Sequence, residues 1–97
     1  MSATIDQAVT ELNAKMGDDG FQGGTAKFVI EDEGAIMLDE SGARAADEVA
    51  DVTLTADAET FKAILDGEQN ATAAFMTGKL KVDGDMGMAM KLSSVLS

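Results

Sequence analysis

The 97-residue chain contains no cysteine, histidine, tyrosine, tryptophan or proline, and only one arginine. Each absence removes a class of chemistry. Without cysteine there is neither a disulfide framework nor a thiolate metal site. Without histidine the commonest metal ligand and the usual general base at neutral pH are missing, and Ser-His-Asp and Cys-His nucleophiles go with them. A pair of carboxylates is the remaining acid–base device, and it requires one desolvated acid with a raised pKa. Every aspartate and glutamate here reads as a helix cap, a turn or an outward strand position. The chain is therefore expected not to be an enzyme and to carry no cofactor.

Long apolar runs are also lacking. No segment approaches the roughly eighteen residues of a membrane span, and the N-terminus lacks the charged-then-apolar layout of a signal peptide. The C-terminal Ser-Val-Leu-Ser is not a peroxisomal Ser-Lys-Leu address. A cytoplasmic protein is expected, folded as a single domain over residues 1–97.

Bases are scarce. Eighteen acidic residues face seven basic ones, for a net charge of −11. Nucleic-acid binding needs a basic footprint and is excluded. Strong docking to anionic membranes is disfavoured as well. The charge is uneven: residues 1–60 hold fourteen acids and three bases, whereas residues 61–97 hold four of each. Such an acidic surface fits a host with high internal salt, where screening acts over about 3 Å at molar ionic strength. It fits an acidic mesophilic protein equally well.

The periodicity predicts helices and strands in a definite order. Ile5, Ala8, Val9, Leu12 and Met16 repeat at helical spacing behind a Thr4/Gln7 capping-box pattern, and Gly17 stops that helix. Strands follow at about 25–32, with Ala26, Phe28 and Ile30 on one face, and at 35–40, with Ile36 and Leu38 inward. After a polar stretch from Ala43 to Glu48, a third strand runs from Val49 to Thr55. Three strands on short connections predict an antiparallel meander. Asp57 then caps a helix carrying Ala58, Phe61, Ile64 and Leu65 as far as Gly67, and Asn70 caps a shorter one ending at Gly78. Lys79 to Val82 reads as a fourth strand, Asp83-Gly84 as a turn, and Asp85 as the cap of a last helix from about Met86 to Leu96. Strands followed by helices give an α+β fold.

Asp83-Gly-Asp85 invites a calcium reading, but an EF-hand loop needs glycine at its sixth position and glutamate at its twelfth. Those places hold Met88 and Ser94. Asp18-Asp19 and Glu31-Asp32-Glu33 are short acidic clusters that a solvated surface explains. The last helix is more informative. Met88, Leu92, Val95 and Leu96 form one apolar stripe, extended by Ala89, with Met86 and Met90 beside it. This arc is wider than one sheet contact requires. Either the helix is wedged between two partners or one flank faces a cavity.

The run Phe75-Met-Thr-Gly-Lys-Leu-Lys-Val-Asp-Gly-Asp-Met-Gly-Met-Ala-Met-Lys-Leu92 resembles the C-terminal signature of the sterol carrier protein type-two family of non-specific lipid-transfer domains. Ala50-Asp-Val-Thr-Leu-Thr-Ala-Asp57, followed by Phe61, Leu65 and Gly67, keeps the family's order of landmarks, so the likeness covers about the second half of the chain. The resemblance implies a curved, mostly antiparallel five-stranded sheet backed by helices around an apolar tunnel. The fifth strand would then lie near residues 42–48. It also implies binding, and transfer, of a fatty acid, fatty acyl ester, isoprenoid or sterol-like lipid. Phe61, Leu65, Phe75, Met76, Met86, Met88, Met90 and Leu92 would contact the ligand, and Lys79, Lys81 or Lys91 would help an acidic head at the mouth. No stable membrane insertion is implied, and the state would be monomer or homodimer. The alternative is a dimerisation or accessory module of the same fold with no physiological lipid.

Overall fold

The computed structural model describes residues 3–17 and 20–96. Its elements run α1 (Ala3–Met16), β1 (Ala26–Ile30), β2 (Gly34–Asp39), β3 (Gly42–Ala45), β4 (Val52–Ala56), α2 (Ala58–Leu65), α3 (Ala71–Met76), β5 (Lys81–Gly84) and α4 (Met86–Leu96). The five strands form one mixed sheet in the order β3-β2-β1-β4-β5.

Alternation decides the sheet's two faces. One inner row runs Ala43, Leu38, Ala26, Val52, and the next Ala45, Ile36, Phe28, Leu54, Val82. Apart from Ala45, which is exposed at the sheet's edge, these rows meet the apolar flanks of all four helices in one core, to which α1 gives Ile5, Ala8 and Leu12, and α2 gives Phe61, Ile64 and Leu65. α3 adds Ala71 and Ala74, and α4 adds Ala89 and Leu92. At its centre the rings of Phe28 and Phe61 lie 4.3 Å apart, tilted by 58°, a close pair held out of the unfavourable face-to-face sandwich by its tilt. The helices thus back one face of the sheet, and the other carries Arg44, Lys27, Thr53 and Asp83 in a row with Met37.

The expected meander is corrected at its third strand. β4 does not pair with β2; it lies parallel to β1, with Phe28 opposite Leu54. The strand next to β2 is instead β3, in the stretch that reads as polar. Alternation specifies which face a strand buries but not its neighbour. Residues 46–51 carry the chain back across the outer face, tethered by Lys27 to Asp47 at 2.9 Å. Arg44 adds two ties, to Asp39 at 2.5 Å and Glu48 at 3.0 Å. This return accounts for the burial of Met37, which alternation places outward. Val49, expected to begin a strand, is 95% exposed on the connection.

Local chemistry sets the remaining boundaries. Asp57 accepts a hydrogen bond from Thr60 N at 2.7 Å, Asn70 from Ala73 N at 3.1 Å, and Asp85 from Met88 N at 3.2 Å. All three act as the caps the sequence indicates. Thr4 lies inside α1 rather than at its cap position, because the helix has already begun at Ala3. Asp83-Gly84 is not a turn but the end of β5, paired with Thr53 and Val52. Asp18 and Asp19 fall outside the described residues. The edge strand β3 is covered by α1: the Asn13 amide donates to Ala43 O at 3.0 Å and its oxygen accepts from Ala43 N at 2.8 Å. Gly42 is required there. Its φ is +110°, and a Cβ would stand 2.4 Å from Asn13 Oδ1.

Phe28→Ala removes half of the central ring pair and should cost about 3–5 kcal/mol in urea unfolding, while Val49→Ala should stay within about 0.5 kcal/mol. Asp57 supplies a pH test. Its carboxyl is held below the ordinary aspartate range by the Thr60 amide, then by the Thr60 hydroxyl, with Lys79 a smaller influence. A depressed carboxylate stabilises above its unfolded pKa, and that contribution is lost as the pH falls through the folded value. Asp57→Asn keeps a capping oxygen that does not titrate. Its thermal midpoint should therefore fall less steeply than wild type below about pH 4.

Candidate functional site

The core does not close at the β4–β5 end of the sheet. Between α3, α4 and that edge lies a cleft of about 250 Å³. Its floor is Leu54 and Val82, which are register partners on β4 and β5, together with Leu80 just before β5. One wall is Ala71, Thr72, Phe75 and Met76 of α3; the other is Met86, Ala89, Met90 and Ser93 of α4. The α4 set falls at i, i+3, i+4 and i+7, a single helical face. Among the described residues no charged side chain lines the cleft, and the polar side chains there are the hydroxyls of Thr72 and Ser93.

The lip is apolar and open to water. Phe75 is 41% exposed, Met76 79%, Met86 48% and Met90 70%. Each is large enough that burying it would be favourable by about 1.5–3 kcal/mol, so leaving four together in water has a standing cost. α4 answers both readings of its wide apolar arc. Ala89 and Leu92 are buried and Met88 and Val95 half-buried on the core side, where the helix packs on β1, β4 and β5 and touches α1 and α3. Its next flank faces the cleft.

Of the eight residues singled out in the sequence, Phe75, Met76, Met86 and Met90 line this cleft. The other four lie elsewhere. Phe61 is fully buried against Phe28. Phe61 and Leu65 also border a smaller, polar cavity of about 190 Å³ between α1 and α2, shared with Gln7, Glu11, Lys62 and Asp66. Leu92 is fully buried in the core. Met88 packs toward Gly24, where a Cβ would meet its methyl at 2.6 Å. Ala89 and Ser93 could have been found from Met86 and Met90 by helical spacing, and Val82 from Leu54 by strand alternation. Ala71 and Thr72 carry no such signal, since only the placement of α3 brings them in.

The lysines divide. Lys91 points away from the cleft, donating to Gln22 O with its ammonium 5.7 Å from the Phe21 ring centroid. Lys79 is exposed on the segment joining α3 to β5, and Lys81 is exposed as the first residue of β5, on the outer face opposite the inward Val82. Asp39 is the other carboxylate with a clearly lowered pKa, chiefly through its hydrogen bond from Arg44 on the outer face. Among the described residues, no group of three or more metal-ligating side chains comes together.

The family model described as the SCP-2 sterol transfer family matches residues 6–97. Human Sterol carrier protein 2 is 32% identical over 100 residues, covering 88% of this chain but 18% of that protein. Hydroxysteroid dehydrogenase-like protein 2 of Xenopus tropicalis is 47% identical over 47 residues, covering 48% of this chain and 11% of that protein. The chain thus spans less than a fifth of the length of these curated relatives. Among solved structures, Sterol Carrier Protein-2 of Aedes aegypti in complex with a C16 fatty acid, palmitate, superposes with a TM-score of 0.77. It is 21% identical and the match covers 100% of this chain and 97% of that one. The sterol carrier protein domain 2 of Helicoverpa armigera gives 0.76 at 24% identity, covering 96% and 85%. These likenesses establish a common α+β fold. With the family model running through every element from α1 to α4, the chain belongs to the SCP-2 sterol transfer family.

Proposed function

We propose that the α3–α4 cleft takes up the hydrocarbon part of a lipid, and that the protein binds and passes on such ligands without catalysing a reaction. The observation that carries this reading is an apolar cleft with no charged side chain among its described lining residues, whose lip exposes Phe75, Met76, Met86 and Met90. A bound chain would shield those side chains and bury its own methylenes at about 0.8 kcal/mol each. The Aedes aegypti protein of the same fold holds palmitate, which supports a fatty acid, fatty acyl ester, isoprenoid or sterol-like lipid here. The cleft volume of about 250 Å³ lies just under the usual range of roughly 300–1,000 Å³ for ligand pockets. A long chain is accommodated by movement of the lip, where methionine's flexibility lets α3 and α4 close over it as a tunnel.

The absence of histidine and cysteine from the sequence and the purely hydroxylic polar lining of the cleft support a non-catalytic role. One continuous core supports a single lipid-binding unit over residues 1–97. Among the described residues no helix is long and apolar enough to cross a membrane, which is consistent with a cytoplasmic carrier acting as a monomer or homodimer.

Charge orders the ligands. A CoA ester brings several negative charges beside a protein of net charge −11, whereas a fatty acid brings one. At low salt palmitate should bind more tightly than palmitoyl-CoA, and the difference should narrow in 1 M NaCl. A tighter CoA ester at low salt, measured by competition with a fluorescent fatty acid, would contradict this. In the same assay Phe75→Ala should weaken palmitate binding about tenfold, equivalent to roughly 1.4 kcal/mol. Its unfolding free energy should change by less than about 0.5 kcal/mol, as expected of a side chain still partly in water.

A further inference from the structure

The sequence has no cysteine, histidine, tyrosine or tryptophan, so methionine is the side chain most open to oxidation by a mild peroxide. The seven methionines differ sharply in exposure. Met37 is 1% exposed beneath the 46–51 return, and Met16 and Met88 are half-buried against the core. Met1 lies outside the described residues. The other three, Met76, Met86 and Met90, are 79%, 48% and 70% exposed, and all three line the α3–α4 cleft. Composition and fold together gather the accessible thioethers at the one opening where a hydrocarbon chain would enter. Leucine would supply apolar surface there without the reactive sulfur.

We propose that Met76, Met86 and Met90 form an oxidation site for small hydroperoxides, and that their conversion to sulfoxides lowers the affinity of the cleft for lipid. This inference rests on the lipid-binding reading of the cleft. With hydrogen peroxide as the oxidant, a thioether lone pair attacks one peroxide oxygen and the O–O bond breaks. Sulfur gains that oxygen and gives up two electrons. The departing hydroxide takes the proton from the transferred OH, and water is released. Each sulfoxide places a polar oxygen on a surface whose polar side chains, among the described lining residues, are the hydroxyls of Thr72 and Ser93. A hydrocarbon chain covering that oxygen would strip its water without offering a hydrogen bond, which opposes binding. The fold should outlast the change, because these three side chains already stand in water, whereas a sulfoxide on Met37 would sit inside packed protein. Shielding acts in return. A bound chain covers the same sulfurs, so the empty carrier is oxidised faster than the loaded one.

Hydrogen peroxide treatment of the full chain tests this, with peptide mass spectrometry to locate each added oxygen and palmitate competition against a fluorescent fatty acid to read affinity. Met76, Met86 and Met90 should oxidise well before Met16, Met37 and Met88, and saturating palmitate should slow them by about threefold or more. Palmitate affinity should fall about tenfold or more once all three are sulfoxides, and methionine sulfoxide reductases should restore it. In a variant combining Met76→Leu, Met86→Leu and Met90→Leu, a nearly volume-conserving exchange, the ratio of treated to untreated affinity should stay close to one. Oxygen appearing on Met37 or Met88 as fast as on the lip methionines overturns the site. Unchanged palmitate affinity after full oxidation of the lip, or an equal loss in the leucine variant, overturns the control of binding and leaves the lipid-binding reading standing. Untreated protein that binds no palmitate overturns the lipid-binding reading itself and the control of affinity with it, while the oxygen map still decides the oxidation site.

Discussion

The structure turns on one constraint: α4 carries more apolar surface than the sheet can cover. Ala89 and Leu92 are buried among core residues and anchor the helix. The neighbouring flank, with Met86 and Met90, is left facing α3 across a gap. α3 is only six residues long, and its own apolar side chains, Phe75 and Met76, lie at its C-terminal end. Two helices of this kind cannot zip together along their length. Their small residues lie toward the core, Ala71 and Ala89 in opposite walls of the cleft and Ala74 buried, while the large ones stand at the lip. The cleft is the space that this mismatch leaves. Its apolar lining without a protein partner is what makes a lipid the natural occupant.

The rest of the fold holds that edge in place. The parallel pairing of β1 with β4 sets Phe28 beside Leu54 and Leu54 beside Val82, so the central ring pair and the floor of the cleft share one row of the sheet. Asp51 ties the starts of β1 and β4, accepting from Thr25 N at 3.0 Å, and Lys91 anchors the outer side of α4 to the Phe21 loop. The sheet and the core flank of α4 are therefore fixed. The lip, by contrast, carries exposed side chains, three of them methionines with several rotatable bonds.

Much of this was legible in the sequence because the physics is local. Caps at Asp57, Asn70 and Asp85 and the stops at Gly17, Gly67 and Gly78 bound the helices, and alternation at Ala26–Ile30 and Val52–Ala56 assigns the inner face. What could not be read was non-local. Nothing in Val52–Ala56 says that its partner is β1 rather than β2, and Gly42–Ala45 is too short to announce a strand by periodicity; only the family resemblance placed a fifth strand near residues 42–48, where β3 lies. The site divided along the same line. Phe75, Met76, Met86 and Met90 reach the cleft, but Phe61 and Leu92 are indistinguishable from them by residue type. Their burial depends on which flank of each helix meets the sheet. The C-terminal motif identified the family correctly, yet it mixes residues that build the core with residues that line the opening.

The central claim is that a hydrocarbon chain fills the α3–α4 cleft, and the methionines report on it directly. Methyl NMR of protein labelled at methionine, titrated with palmitate, separates the sites. The account expects Met76, Met86 and Met90 to shift and saturate at one equivalent, while Met37 on the outer face of the sheet stays unmoved. A titration that left the three lip methyls in place, or shifted Met37 as much as them, would contradict it.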